Sequence, residues 1–217
     1  MRMKRLLKKV TQMKQEIRAF NFEVRAEQNE EHGHFLTGQP IVYNERTNMG
    51  WYDEIIDDGA LADTDLKDVR FLVNHNTDMI PLARSRNNNA NSTMQMEVVP
   101  GAGLNIRVDL DTDNNVDARA LWSAVGRGDI TGMSFMFTVD KDAWDDIDTE
   151  HPTRHIRSFS KVFEVSAVTF PAYSATSIQQ RGLSDALDSA KASLDSERAR
   201  LADIERRKKI IKILCEV

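Results

Sequence analysis

Between Ile17 and Phe170 the chain is a succession of short β-forming runs, each cut off by turn chemistry, and this period constrains the fold more than any other feature. Ile17, Ala19, Phe20, Phe22 and Val24 read as a strand, with Arg18, Asn21, Glu23 and Arg25 largely on the other face. Gly33 to Gly38 with Ile41 to Tyr43 reads as a second strand carrying a bulge, and Trp51 to Ile56 as a third. Leu82 to Arg86, Thr93 to Val99 and Leu104 to Leu110 follow, the last two joined by the turn Pro100-Gly101-Ala102-Gly103. Ser134 to Val139, followed by an acidic loop from Asp140 to Glu150, and then His155 to Phe159 and Val162 to Phe170 complete the set. Helical signals are fewer. Asp63-Thr64-Asp65 resembles a helix start, and the cluster from Asp111 to Asn115 caps a stripe of Val116, Ala120, Leu121 and Val125 that stops at Gly126. The expected class is mainly β with flanking helices (α+β).

At 217 residues the chain suits one domain with appendages, large enough to bury a core without staples. A net charge of −5 argues against a general nucleic-acid binder. The single cysteine, Cys215, excludes an internal disulfide and a cysteine-rich metal site. The apolar runs are far short of a membrane span, and no apolar region of a secretion signal follows the basic N-terminus.

Three stretches carry chemistry. Gly128-Asp129-Ile130-Thr131-Gly132 is a turn, and Ser134 then opens a strand, so the strand fixes the hydroxyl and the turn exposes it. Phe71-Leu72-Val73 runs into Asn74-His75-Asn76, placing a histidine at an element end. Glu164 sits within the β-branched run from Val162 to Phe170, where a lone charge costs several kcal/mol unless paired. Serine, histidine and an acid on strands are the parts of a nucleophile, a general base and an orienting group. His155 is a rival base, but Arg154 and Arg157 mark it as an exposed strand start. His32 and His34 share a strand face, with no third ligand at metal spacing. Asp109, Asp111 and Asp113 resemble half of a calcium loop without its glycine and distal glutamate. No metal or cofactor is expected.

Taken in order, Asn74-His75-Asn76, Gly132-Met133-Ser134-Phe135 and Glu164-Val165-Ser166 through Pro171-Ala172 resemble the prohead (capsid maturation) proteases of tailed bacteriophages. Glu54-Ile55-Ile56, Asp58-Gly59-Ala60-Leu61 and Gly103-Leu104 fit as looser landmarks, and the likeness covers roughly residues 18 to 180. Met136 and Ala83 stand where family members often carry glycine. That family is distantly similar to the herpesvirus assemblins, which implies a closed antiparallel barrel. The resemblance implies a serine endopeptidase with Ser134 as nucleophile, His75 as base and Glu164 in the third position, and with oxyanion donors near Pro171 and Ala172. It also implies an enzyme packaged in the procapsid in the host cytoplasm and lost from the mature virion. There it trims the scaffolding part of the major capsid protein, and itself, with no nucleic acid or membrane as partner.

The ends differ from the middle. Residues 1–17 form a basic leader, residues 18–182 the β domain, and residues 183–217 a charged helical tail. In the tail Leu183, Leu187, Ala190, Leu194, Leu201, Ile204 and Ile211 follow alternating four- and three-residue steps, with Glu197 and Lys208 in the intervening seam positions. Such a tail suits a partner helix. The competing reading is a non-enzymatic assembly factor that keeps the barrel and uses the tail as a scaffold. An α/β-hydrolase is disfavoured because Thr-Gly-Met-Ser-Phe-Met around Ser134 lacks the Gly-x-Ser-x-Gly elbow.

Overall fold

The computed structural model describes residues 15–20, 24–170 and 177–215. The leader up to residue 14 and the Pro171-Ala172 turn lie outside the described residues. In chain order the strands are β1 (Glu16–Phe20), β2 (Val24–Asn29), β3 (Gly33–Val42), β4 (Thr47–Asn48), β5 (Asp53–Ile56), β6 (Arg70–Val73), β7 (Ala83–Arg84), β8 (Met94–Val99) and β9 (Gly103–Leu110). Helix α1 (Val116–Arg127), β10 (Gly132–Asp145), β11 (Thr153–Val168) and the 39-residue helix α2 (Ser177–Cys215) follow.

The strand β11 organises the larger sheet. One edge pairs antiparallel with β10, which in turn pairs with β1. The other edge takes two short parallel partners, β5 beside Thr153–Ile156 and β6 beside Glu164–Ala167. The smaller sheet is an antiparallel β2-β3-β9-β8 set. The closed antiparallel barrel expected from the resemblance is therefore not what the pairing describes. Among the described residues the strands fall into two sheets, and the larger is mixed because β5 and β6 each run parallel to β11.

The core lies between the sheets. Phe135, Phe137 and Phe159 pack edge-on and stacked against one another, and Leu36, Ile41, Leu104 and Val108 face them from the smaller sheet. Ala118, Leu121 and Val125 of α1 close one end. The β3–β9 contact is tight: a Cβ on Gly103 would lie 2.0 Å from the carbonyl oxygen of Ile41, and its φ of +132° is open to glycine alone. A second cluster forms where α2 seats Ala190 and Leu194 on Tyr52 and Trp144.

Three local expectations change. The Asp63-Thr64-Asp65 segment leads from a turn into an isolated parallel bridge between Asp65 and Lys161 rather than into a helix, and the Asp65 carboxylate accepts from Lys67 N–H at 3.1 Å and pairs with Lys161 at 2.9 Å. Helix α1 passes Gly126 and ends at Gly128, whose φ of 78° supplies the left-handed cap. The acidic stretch after Val139 is not a loop from its start, because β10 continues to Asp145 opposite β11 and only the tip beyond it turns.

Candidate active site

The site is built from one strip across the larger sheet. Ala19 on β1, Ser134 on β10, Ser166 on β11 and Leu72 on β6 lie in register as successive neighbours. Paired residues share a face, and so do residues two apart on one strand, so Ser134, Ser166 and Glu164 project to the same side. Their neighbours Phe135 and Val165 project to the other.

The histidine comes from the turn after β6. Asn74 and His75 both adopt left-handed backbone, with φ of 52° and 56°, a conformation disfavoured for side-chain-bearing residues. Several hydrogen bonds hold the turn in it. Asn74 N–H donates to the Ala167 carbonyl at 3.0 Å, and its side chain exchanges bonds with Thr169 at 3.1 and 2.9 Å. His75 N–H donates to Ser166 Oγ at 3.1 Å. The Asn-His-Asn sequence suits this turn because asparagine tolerates left-handed backbone better than most residues.

With the turn fixed, His75 Nδ1 lies 2.5 Å from Glu164 Oε1, and Ser166 Oγ donates to Glu164 Oε2 at 2.5 Å. His75, Glu164 and Ser166 are all buried. A carboxylate accepts, so Nδ1 is the donor of this pair, and a neutral imidazole held this way has its lone pair at Nε2. That Nε2 is buried and has no hydrogen-bond partner. Ser134 is fully buried, and its hydroxyl donates to the Arg18 carbonyl at 2.8 Å rather than to the imidazole.

Of the three residues singled out in the sequence, then, His75 and Glu164 are in direct contact. Ser134 lies one strand away, opposite the serine that braces both. Ser166, Asn74 and Thr169 complete the arrangement and carry no role in the sequence reading. Glu164-Val165-Ser166 does hold a signal for Ser166, since two-residue spacing on a strand places both side chains on one face. His155 is elsewhere, paired with Asp57 at 2.8 Å. Among the described residues no group of three or more histidine, cysteine or acidic side chains converges as a metal site. His34 instead bonds Thr112 Oγ1 at 2.6 Å. No helix among the described residues is long and apolar enough to cross a membrane.

The model of the caudovirus prohead serine protease family matches residues 20–189, and the chain belongs to that family. It is thus a serine protease of phage capsid maturation, a class that acts on capsid proteins inside the procapsid in the host cytoplasm. No curated protein and no solved structure matches the chain significantly.

Proposed function

We propose that Ser134, His75 and Glu164 form the catalytic triad of an endopeptidase. Its substrates are the scaffolding part of the major capsid protein and the chain's own ends at residues 1–17 and 183–217. The observation that carries this reading is the buried, unpartnered Nε2 of His75, on an imidazole whose other nitrogen is held by Glu164. An acceptor lone pair kept from water, one strand from a serine, is the arrangement a general base needs.

In this mechanism Ser134 Oγ turns about χ1 from the Arg18 carbonyl to His75 Nε2. Its proton passes to Nε2 as the Oγ–carbon bond forms at the scissile carbonyl. The imidazolium, stabilised by Glu164, then gives that proton to the leaving amine as the carbon–nitrogen bond breaks. Water, deprotonated by His75, releases the acyl group and restores the serine. The imidazole must be neutral to start, so activity falls as it becomes protonated. In the assemblins the third position is a histidine; here an acid fills it. Ser166 positions both members of the pair: its hydroxyl donates to Glu164 and accepts from the His75 backbone. The body at residues 18–182 is the protease unit.

Co-expression with the adjacent major capsid protein tests this. The wild type should shorten the capsid protein or itself, read by intact mass, and Ser134→Ala should leave every chain whole. Intact chains in assembled capsids with wild type would instead favour the assembly factor. The buried Ser134 hydroxyl, now bonded to a backbone carbonyl, is the observation on that side.

A further inference from the structure

Ser134, Ser166 and Glu164 do not fill the face on which they stand. The register adds three apolar neighbours: Ala19 of β1 lies opposite Ser134, Ile17 lies opposite Met136, and Met136 in turn lies opposite Glu164. Residues two apart on a strand share a face, so Ile17 and Ala19, Met136 and Ser134, and Glu164 and Ser166 form one block across three strands. Its two flanks are unlike. On the β11 side Glu164, Ser166 and the His75 bonded to them are buried and polar. On the β1 side Ile17, Ala19 and Met136 are half-buried and apolar.

Those three side chains are not part of the core. Among the described residues neither apolar cluster includes them, because the core lies on the opposite face with Phe135 and Phe137. No charge reaches them from within the block. Both oxygens of Glu164 are engaged, one by His75 and one by Ser166, and Glu16 and Arg18 alternate to the far side of β1. A strand spacing of about 4.8 Å and a two-residue rise of about 7 Å give the patch the footprint of one aliphatic side chain. Position then decides the occupant. Ser134 is itself fully buried, so a peptide bond brought to its hydroxyl passes over the partly exposed neighbours, and within this block those lie on the β1 flank.

We propose that Ile17, Ala19 and Met136 form a specificity subsite beside Ser134, which takes an aliphatic side chain of the substrate within two residues of the scissile bond. This rests on the triad reading above. Met136 sets the depth of the subsite, and Ala19 keeps the approach to the hydroxyl open. Ile17, the last residue of the leader, adds the rim while the leader is uncut. A carboxylate placed there loses water without gaining a partner, and an aromatic ring overruns the patch.

Cut sites mapped in the capsid protein or in the chain's own ends supply the peptides for the test. Positions within two residues of one cut are varied in turn among alanine, leucine, phenylalanine, aspartate and lysine, and kcat/KM is measured with the full chain. At one of these positions leucine should exceed aspartate by roughly ten- to a hundredfold. Met136→Ala deepens the subsite and should raise phenylalanine relative to leucine by roughly tenfold at that same position. Ala19→Asp should bring lysine above leucine there, by a margin that shrinks with added salt. Both changes fall on half-buried positions outside the core, and circular dichroism checks that each variant folds. A wild type indifferent at every position, or a preference that neither variant moves, would overturn the subsite and leave the triad standing. A wild type that cuts nothing would overturn the triad reading and the subsite with it.

Discussion

Two buried groups of acids in this protein are satisfied in opposite ways. Glu164 is held by an imidazole and a serine hydroxyl, partners that donate one hydrogen bond each and whose protons can move. Glu16 and Glu54 are held by the guanidiniums of Arg18 and Arg154, whose protons do not leave. All four members of that second group are at most 2% exposed. Burial opposes charge on Arg154, yet Glu16 and Glu54 raise its pKa beyond the ordinary range, and Arg18 is raised in the same way chiefly by Glu54. Burial likewise pushes Glu16 up, and Arg18 and Arg154 outweigh it to leave the carboxyl below its usual range. Ser189 of α2 donates to Glu16 at 2.9 Å, and Ser193 donates to Asp142, which accepts from Arg154 at 2.8 Å. The network ties β1, β5, β11 and α2 together. A buried carboxylate marks chemistry only when its partner can exchange a proton; paired with arginine, it marks architecture.

One substitution made in both places should separate them. Glu164→Gln keeps the shape but gives the amide a hydrogen to donate toward Nδ1, which favours the imidazole tautomer protonated at Nε2. Cleavage of a capsid-derived peptide should fall by roughly a hundred- to ten-thousand-fold, with little change in melting temperature. Equal losses of activity and stability would return Glu164 to the architectural group. Glu54→Gln should do the reverse. It leaves two buried guanidiniums undercompensated, so chemical denaturation should show a loss of about 3–5 kcal/mol. Activity per folded molecule should stay unchanged.

Smaller effects refine the contrast. Ser166→Ala strands one oxygen of Glu164 and the His75 N–H, at a cost of about 1–3 kcal/mol divided between stability and turnover. Turnover should drop with KM unchanged, and Ser166→Thr should recover much of it. A variant that loses stability alone would make Ser166 a packing residue. The least effect concerns acid. The pKa of Glu16 is lowered in the folded protein, so its contribution is complete above its unfolded value near 4.5 and is lost as pH falls through the folded one. Denaturant midpoints should decline below about pH 4.5, and Glu16→Gln should flatten that decline. Surface pairs such as Asp68 with Arg84 add little to it, because solvent screens them.

The contrast also marks what the sequence could convey. Strand period located β10 and the two stretches, His155 to Phe159 and Val162 to Phe170, that the structure joins into one strand β11, and an acid in an apolar run isolated Glu164, because both are local patterns. Alternation puts Arg18 on the face opposite Ile17 and Ala19, yet it is buried, with Glu54 accepting from its Nε and from Nη2 at 2.6 Å. Alternation says which residues share a face. It does not say that Glu54 and Arg154 from distant strands, together with Glu16 two residues away, make that face habitable for charge. The two-residue spacing from Glu164 puts Ser166 beside the acid, but its bond to His75 depends on a parallel β6 delivering that residue to the far edge of β11. Parallel neighbours leave no hairpin signal, and this is also why the mixed character of the sheet could not be anticipated.

Where Ser134 sits, β10 has a hydrogen-bonded neighbour on each side, β1 at Ala19 and β11 at Ser166. Many proteases recruit a peptide as one more strand along an open edge, reading its backbone first and its side chains second. That route is closed at this serine, because the backbone ladders on both flanks are already occupied. A polypeptide that reaches Ser134 therefore does so from a face of the sheet rather than along an edge.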